Sequence, residues 1–454
     1  MSQNAPAESR FSLTSNQLCE LAQELTALAR KQGATASEAE VSEGFGQSVS
    51  VRKGEVETIE YNRDKGIGIT VYLGQQRGSA STSDFSRKAL EDTVAAALAI
   101  ARYTAADDCA GLPEPDQLAK EWATPDLYFP WRLDVDGAVD LARRCEAAAY
   151  AVSPWIRNSE GATISMQEGQ FAMANSHGFV GGYPTSRHYI ACSVIASKTA
   201  KSAAMQRDDW YSTHRDPADF PAPEEIGDYA ARRALARLGA RKIKTCEVPV
   251  LFEAPLACGL LGNFVHAASG GSLYRKSSFL LDSLGKPVFS PVVTLDENPN
   301  LPKGLASGPF DGDGLLTRSR QVVTDGVLNG YFLSTYSARK LGMQSTGNAG
   351  GSHNLILRSG TQSLDDLIGS LPRAFLVTEL LGHGVNYVTG DYSRGAAGYW
   401  IENGQIAHAV EEVTIAGNLK DMFMNIEAIG NDVVVRGSKQ SGSILIGKMT
   451  VAGG

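Results

Sequence analysis

Apolar residues recur every three or four positions near the start of the chain, which is the repeat of one helix face. Thr14 precedes this run and Gln17 follows three residues later, a spacing that predicts a capping box at the N-terminus of the helix. Gly33 is placed to end the helix. The apolar residues of the predicted face are Leu18, Leu21, Leu25 and Leu28.

The apolar repeat changes to two from Ala39 onward, which predicts strands. Turns are predicted at Lys53-Gly54 and Gly74-Gln75, and Ser86 is placed to cap a second helix. This order of helix, strands and helix predicts an α+β domain with an antiparallel sheet over residues 1–105. The alternating strand residues are Ile67, Ile69, Val71 and Leu73, and the face of the second helix is Leu90, Val94, Leu98 and Ala101.

The middle of the chain, residues 106–242, is predicted to be a mixed α/β region. A loop rich in Asp, Pro and Ala over 104–132 leads into a predicted helix from Val135 to Val152. Strands are expected between Ala162 and Trp210, and another helix from Ala222 to Lys242. Four arginines of this last helix are expected to form a solvated basic face: Arg232, Arg233, Arg237 and Arg241.

A strand followed by an apolar helix, from about Pro255 to Ala268, opens the last part of the chain. Short strands and glycine turns fill the rest. Because 454 residues are too many for one hydrophobic core, several domains are expected. The sequence therefore predicts an α+β protein in which residues 243–454 form a mostly β C-terminal domain with one prominent helix near its start.

Charge and cysteine content limit the function classes. The net charge of −8 disfavours broad binding to a phosphate backbone. No apolar run reaches the roughly 18 residues that span a bilayer, and the polar N-terminus lacks the core of a secretory signal. The six cysteines are scattered without a CxxC pair, which is typical of free thiols in a reducing compartment. A cytoplasmic location without membrane contact is therefore expected.

The run from Val377 to Asn418 holds the densest set of chemically able side chains. Glycines repeat there among strand formers, a pattern that indicates tight turns bordering a groove, or a simple series of hairpins. The candidates for binding in this run are His383, Asp391, Tyr392, Ser393, Arg394 and Glu402.

These side chains allow several possible roles. Ser393 lacks the Gly-x-Ser-x-Gly pattern of a nucleophile elbow, and an Asp391–Arg394 ion pair that orders the turn is the default expectation. The alternative is that Arg394 binds a peptide carboxylate. An acid/base pair of Glu379 and Asp391 is not supported by any spacing. The residue types also suit a metal site, but without diagnostic spacing: His383, Asp391, His408 and Glu411.

Two further turns, one rich in glycine and one containing a histidine, are expected to be structural. Residues 347–351, Gly-Asn-Ala-Gly-Gly, lack the Lys-Ser/Thr of a phosphate loop. His353 in the following turn is expected to be structural.

Four segments together resemble the TldD/PmbA family of peptidases, also called modulators of DNA gyrase. They are residues 250–288, 304–314 and 333–351, and the C-terminal run TGDYSRGAAGYWIENGQI with TIAGNLKDM. The resemblance covers the whole chain and is closest to the PmbA, or TldE, branch. Zinc distinguishes the two branches.

TldD-type members carry His-Glu-x-x-x-His on the helix that corresponds to 255–268, and a cysteine near the C-terminus as third zinc ligand. Two imidazoles and a thiolate can hold Zn²⁺ with an open position for water, and the glutamate can act as general base. His266 lies one residue out of register, about 100° around the helix. The corresponding positions in this sequence are Gly262, Asn263, Ala267 and Ser441.

The resemblance therefore implies a non-catalytic subunit of a cytoplasmic two-chain zinc metallopeptidase. Zinc is expected in a TldD-type partner and no cofactor in this chain, which can form a homodimer when alone. An unfolded or extended peptide is the expected substrate, held by β-strand addition. Direct contact with nucleic acid is disfavoured. The groove or interface candidates are His383, Asp391, Tyr392, Ser393 and Arg394.

Two rival functions remain open at this point. The chain can be an autonomous metallopeptidase with unrecognised ligands. It can also be a regulatory protein that binds DNA gyrase, as the older family name implies.

Overall fold

The computed structural model describes residues 10–199 and 204–453 and has the predicted α+β architecture. The helices are α1 Ser15–Lys31, α2 Arg87–Tyr103, α3 Val135–Val152, α4 Pro223–Ala236, α5 Ala254–Ala267, α6 Gly270–Tyr274, α7 Thr335–Leu341, α8 Leu364–Gly369 and α9 Leu419–Met424. The strands of the first half are β1 Ala36–Arg52, β2 Glu55–Leu73, β3 Gln76–Thr82, β4 Ile156–Asn175, β5 Val180–Ala196 and β6 Gln206–His214. The remaining strands are β7 Cys246–Phe252, β8 Leu295–Asn298, β9 Arg320–Thr324, β10 Val327–Leu328, β11 Asn354–Leu357, β12 Arg373–Leu381, β13 Asp391–Glu402, β14 Gln405–Asn418, β15 Ile426–Ile429, β16 Val434–Arg436, β17 Lys439–Ser441 and β18 Ile444–Ala452.

The first half of the chain forms one antiparallel sheet in the order β3-β2-β1-β4-β5-β6. Strand β1 pairs with β4 from Glu38 opposite Asn175 to Val51 opposite Ala162. The sheet therefore continues from residues 1–105 into residues 106–242. Helices α1 and α2 pack on one part of it, and α3 and α4 on the other, each pair with its own buried apolar cluster.

Local signals place the helix starts where the sequence predicts them. The Thr14 side chain accepts from the Gln17 backbone and the Gln17 side chain accepts from the Thr14 backbone, so the capping box is confirmed. Ser86 caps α2 by accepting from the Ala89 backbone. Lys53 and Gly54 both have positive φ at the turn between β1 and β2.

The predicted helix from Ala222 to Lys242 is shorter in the structure, where α4 ends at Ala236. Three residues after the helix end, Gly239 takes a φ of +85°. The predicted solvated basic face is wrong for two of its four arginines, since Arg241 is exposed as predicted. Arg232 is exposed, but the Arg233 and Arg237 side chains are only 13% and 9% exposed and form ion pairs with distant carboxylates.

The second half contains two further sheets that enclose the largest apolar core. One sheet has the order β10-β9-β8-β11-β17-β16. The other has the order β14-β13-β12-β7-β18-β15, and an extra β14–β18 pairing closes five of its strands into a ring. Helix α5 packs against β12 of one sheet and β16 and β17 of the other, and buries Leu260, Leu261 and Phe264. Among the described residues, no helix is long and apolar enough to cross a membrane.

Candidate functional site

Helix α5 leaves one narrow stripe of its surface open. Its apolar residues face the core, and the positions between them at spacings of three or four are small or polar. Gly259 and His266 are exposed, and Gly262 and Asn263 are partly exposed. This stripe includes Gly262 and Asn263, which are expected from the sequence at the positions of the zinc helix of TldD-type chains.

A polar cleft of about 660 Å³ borders the N-terminal part of this stripe, at Gly259 and Gly262. It lies between the two halves of the molecule, because strand β6 and helix α4 form one wall and α5, the end of β12 and the β16–β17 turn form the other.

Ion pairs fasten the two walls of the polar cleft. Arg233 of α4 donates to Asp208 at 3.1 Å and to Glu253, the residue before α5, at 2.7 Å. Arg237 pairs with Asp208 at 3.5 Å and with Glu379 of β12 at 2.5 Å. Burial raises the pKa of Glu253, and the Arg233 charge opposes this shift. Burial also opposes the charge of Arg233, but the neighbouring carboxylates outweigh it and raise the pKa of the guanidinium.

A second cleft, of about 480 Å³, lies between the outer strands of two sheets. Consecutive residues 210–215 of β6 and the loop after it line one side, and 434–436 of β16 the other. Side chains of neighbouring strand residues point to opposite faces, so a run of consecutive lining residues means that the strand edge borders the cleft. Within the described part of the sheets, β6 and β16 are both terminal strands.

The two clefts share four lining residues, among them Arg436 and Lys439 of the β16–β17 hairpin. The Arg436 guanidinium lies 4.5 Å from the ring centroid of Trp210 and 4.3 Å from that of Tyr211. Its Nε and Nη2 atoms are buried without a hydrogen-bond partner among the described residues. The Lys439 Cε atom lies 3.7 Å from the place that a Cβ at Gly262 would occupy. Burial lowers the pKa of Lys439.

The residues at the zinc positions do not fit the metal. Gly262 offers no donor, and Ala267 is fully buried. The Asn263 Oδ1 atom accepts from the Tyr387 hydroxyl at 2.9 Å. The Ser441 hydroxyl is buried and donates to the Gly442 carbonyl at 2.7 Å. Zinc sites need three or four sulfur, imidazole or carboxylate ligands, and this set supplies none.

His266 lies on the same helix as Gly262 and Asn263, and its ring is engaged in packing. Its ring centroid lies 3.9 Å from that of Tyr387. Across the described ranges 10–199 and 204–453, no group of three or more His, Cys, Asp and Glu side chains is arranged to hold a metal ion.

The groove candidates of the C-terminal run lie at the turn between β12 and β13. His383 is exposed in this turn. The expected Asp391–Arg394 ion pair is wrong, because both residues belong to β13 and an odd spacing places them on opposite faces. Asp391 instead accepts from the Thr389 hydroxyl at 2.6 Å and from the Asn418 side chain at 3.1 Å.

Tyr392 and Arg394 share the other face of β13. The Tyr392 hydroxyl and the Arg394 Nε atom are buried and have no hydrogen-bond partner in the described part of the chain. Burial raises the pKa of Tyr392 to about 12, and the nearby Arg394 charge opposes the shift. Ser393 is exposed, and its backbone N–H donates to the Gly384 carbonyl at 2.7 Å. None of the five candidates lines either cleft.

The other polar residues weighed from the sequence have separate structural partners. Glu379 pairs with Arg237, and Glu411 accepts from Gln206 at 2.7 Å. Glu402 accepts from the Trp400 indole at 2.9 Å. His408 and Glu411 are therefore not brought together with His383 and Asp391 in a metal site.

The 347–351 turn serves the fold rather than a phosphate. Asn348 is buried and donates to Glu297 at 2.8 Å, and the His353 ring contacts the same carboxylate at 3.1 Å.

The residues that the sequence did not single out are Trp210, Tyr211, Arg436 and Lys439. They come from strands more than 200 residues apart in the chain, so no local spacing connects them. The adjacent aromatic pair at 210–211 is visible in the sequence, but similar pairs at 128–129, 331–332 and 399–400 prevent it from marking this strand.

Models of the three domains of PmbA/TldA metallopeptidases match the chain, domain 1 at residues 37–101, the central domain at 128–238 and the C-terminal domain at 245–453. The chain belongs to the PmbA/TldD family. The relative named metalloprotease PmbA from Escherichia coli O157:H7 is 46% identical over 417 residues, which cover 92% of each chain. A PmbA homologue from Haemophilus influenzae is 44% identical over 452 residues, or 99% of each. A TldD homologue from the same organism is 27% identical over 218 residues and covers only 44% of each chain.

Solved structures of PmbA/TldD-type proteins have the same fold. A candidate modulator of DNA gyrase from Bacteroides thetaiotaomicron superposes with a TM-score of 0.91 at 27% identity, covering 98% of this chain and 100% of that one. The protein TldE from Thermococcus kodakarensis gives a TM-score of 0.82 at 20% identity over 95% of this chain and 100% of that one. The near-complete match to PmbA relatives, against less than half for TldD, assigns the chain to the PmbA branch.

Proposed function

We propose that this chain is the zinc-free, PmbA/TldE-type subunit of a cytoplasmic two-chain metallopeptidase that degrades or matures peptides. A TldD-type partner supplies the zinc, and this chain supplies part of the peptide-binding surface. The observation that carries the proposal is the open stripe of α5, where Gly262 and Asn263 stand in place of the histidine and glutamate of a zinc helix.

The residues of the α5 stripe support the assignment of zinc and catalysis to the partner chain. Hydrolysis by zinc requires protein ligands, an open position for water and a base beside it. Asn263 cannot act as a base, and its oxygen is already bonded to Tyr387. The catalytic groups therefore belong to the partner.

The two terminal strands at the 480 Å³ cleft support a peptide substrate. An extended peptide can add to the edge of β6 or β16 through main-chain hydrogen bonds, which are indifferent to side-chain identity. Such binding suits an unfolded polypeptide of any sequence.

The turn between β12 and β13 is the proposed contact with the TldD-type partner. His383 is exposed there, and the turn is flanked by two large apolar side chains that are more than half exposed, Leu381 and Val388. Burying them against a partner is favourable because exposed apolar area is then removed from water.

Co-expression with a TldD-type protein tests the proposed function. The purified pair is expected to contain stoichiometric zinc and to cleave an unstructured peptide in a chelator-sensitive way, whereas this chain alone contains no stoichiometric zinc and cleaves nothing. Zinc is measured by elemental analysis and cleavage by mass spectrometry of the products.

A matched variant separates this proposal from an autonomous metallopeptidase. Replacing His266, His383 and His408 together by alanine removes the histidines considered from the sequence as metal ligands and is expected to leave the zinc content of the pair unchanged. Zinc and chelator-sensitive cleavage in this chain alone, lost in the triple variant, would contradict the proposal. Capture of DNA gyrase without a TldD-type chain would contradict it as well.

A further inference from the structure

We propose that Arg436 and Lys439, at the junction of the two clefts, form a binding site for a carboxylate of the extended peptide. The carboxylate is either the peptide C-terminus or an acidic side chain. This inference rests on the proposed function, because it assumes that a peptide lies along β6 and β16, and it adds a charge preference to that binding.

The two clefts are lined by more cationic side chains than form ion pairs with carboxylates. The acidic side chains that line them are all engaged: Asp208 and Glu379 with Arg237, Asp209 with Arg207 at 3.5 Å, and Asp219 with Lys303 at 3.1 Å. Among the described residues, three lining cations have no carboxylate within ion-pair distance, Arg215, Arg436 and Lys439. A positive site in a protein of net charge −8 selects an anionic ligand.

Arg215 is satisfied in another way. Its guanidinium donates to the carbonyls of Ser186, Gly304 and Leu305 at 3.0 Å each. The lining cations that remain available to a ligand are therefore the hairpin residues Arg436 and Lys439.

Arg436 is held in place before any ligand arrives. The rings of Trp210 and Tyr211 lie near its guanidinium, and such contacts hold the planar group in position by cation–π attraction. Its Nη1 atom makes one long bond, 3.4 Å, to the Val435 carbonyl.

The atoms without a partner define the geometry of the ligand. Nε and Nη2 of Arg436 lie on the same side of the guanidinium, and this is the edge that binds a carboxylate with two parallel hydrogen bonds. A buried N–H group without an acceptor costs free energy. A pair of carboxylate oxygens that accepts from this edge removes that cost, which favours binding.

Lys439 provides a second charge beside this edge. Its Nζ atom donates to the Ser438 hydroxyl at 3.1 Å and has two further protons for a ligand. Its Cε atom lies within van der Waals distance of the α5 backbone position Gly262, which places the lysine beside the open stripe of α5.

A peptide fits the surroundings better than a nucleic acid. Strand edges border the cleft on two sides, and apolar residues such as Leu301, Leu305 and Val434 line it. Main-chain groups of an extended peptide match strand edges, whereas a polyphosphate backbone needs many cations and this junction offers two.

The test measures binding of a short, unstructured fluorescent peptide with a free C-terminus and one glutamate, by anisotropy, to this chain in complex with its TldD-type partner. Two further peptides carry an amidated C-terminus or glutamine in place of the glutamate. If the C-terminus supplies the carboxylate, the amidated peptide is expected to bind roughly tenfold to a hundredfold more weakly than the parent. If the side chain supplies it, the glutamine peptide is expected to show this loss. Equal affinity for all three peptides would overturn the proposal without the need for any variant.

Variants assign the effect to the residues. Arg436→Gln and Lys439→Met are each expected to weaken binding of the parent peptide and to abolish the difference between the peptides. Arg436→Lys keeps the charge but not the side-on edge and is expected to bind more weakly than wild type; full binding by this variant would contradict the two-bond geometry. Arg232→Gln removes an exposed charge of α4 outside the clefts and is the matched control.

The outcomes also separate the two proposals. Zinc and cleavage in the pair, with no preference for a carboxylate, would remove the carboxylate site and leave the proposed function intact. Displacement of the peptide by a single-stranded oligonucleotide at lower concentration than by an unlabelled peptide would overturn the assignment to peptide.

Discussion

Glu297 shows how a buried charge is kept ionised in this molecule. Its side chain is 1% exposed and accepts hydrogen bonds from Arg320 at 2.7 Å, Asn348 at 2.8 Å and the His353 backbone at 2.8 Å. Burial alone would raise the pKa of this carboxyl, but the contacts with His353 and Arg320 outweigh burial and bring the pKa to about 2. A single carboxylate therefore connects β8, β9 and the turn before β11.

Glu297→Gln removes a buried charge and leaves the partly buried Arg320 without its counter-ion. The free energy of unfolding is expected to fall by roughly 3–5 kcal/mol, the usual cost of breaking a buried ion pair from one side. Urea denaturation followed by circular dichroism measures the change. Glu57→Gln, which breaks an exposed pair with Arg52, is the control and is expected to change stability by less than about 0.5 kcal/mol.

The same carboxylate predicts a pH dependence. The folded-state pKa of Glu297, about 2, lies below the ordinary value of 4.5, so its contribution is present above pH 4.5 and is lost as the pH falls towards 2. The stability difference between wild type and Glu297→Gln is therefore expected to shrink on acidification. Urea midpoints measured at a series of pH values test this, and a difference that widens towards low pH would contradict the assignment.

Two helical glycines differ in how closely a neighbouring element approaches them. In α4, a Cβ at Gly227 would collide with the Cys145 carbonyl oxygen of α3. In α5, a Cβ at Gly259 would meet no atom within 4 Å. Both glycines lie inside helices, but packing requires a glycine only at position 227.

Alanine at these two positions is expected to change stability in opposite directions. Gly227→Ala forces α3 and α4 apart and should lower the free energy of unfolding by roughly 1–3 kcal/mol. Gly259→Ala should raise it by roughly 0.5–1 kcal/mol, because alanine loses less backbone entropy than glycine in a helix. Denaturant titration of both variants is the measurement, and destabilisation by both would show that Gly259 has a role other than an open helix position.

Elements that depend on local signals were predictable, and those that depend on distant partners were not. The capping box at Thr14 and the bounds of α3 follow from residues within a few positions of each other. The sequence pattern predicts Arg233 and Arg237 in solvent because their partners Asp208 and Glu379 come from distant strands. The cleft residue Arg436 meets Trp210 only through the tertiary fold. The correspondence of Gly262, Asn263, Ala267 and Ser441 to zinc-site positions stays a prediction from the family resemblance, because composition and spacing alone do not indicate it.

At the scale of the whole molecule, a small set of ion pairs connects the two halves. Asp208 of β6 binds both Arg233 and Arg237, which in turn reach Glu253 and Glu379 on the C-terminal side. The connection between α4 and β7 runs through residues 237–245 without a helix or strand. The position of one half on the other therefore depends on this network together with other contacts between the halves, such as the Lys303–Asp216 and Lys340–Asp107 ion pairs.

Asp208→Asn is expected to loosen the two halves and to lower the free energy of unfolding by roughly 1–3 kcal/mol, because the two arginines keep their second carboxylates. Trypsin should then cut faster after Arg241, Lys242 or Lys244, which lie in the connection. Asp228→Asn, which breaks the exposed pair with Arg232, is the control for both measurements. Unchanged proteolysis of the Asp208 variant would show that other contacts hold the halves together.

The pairing of β1 with β4 has a consequence for biosynthesis. Roughly 120 residues separate the end of β1 from the C-terminal end of β4, and at about 5–20 residues per second the ribosome needs some 6–25 s to supply them. During that interval β1 has β2 on one side and an open, alternately apolar edge on the other. Such an edge readily pairs with another chain. A nascent chain that stalls before Asn175 therefore needs a chaperone more than the finished protein does.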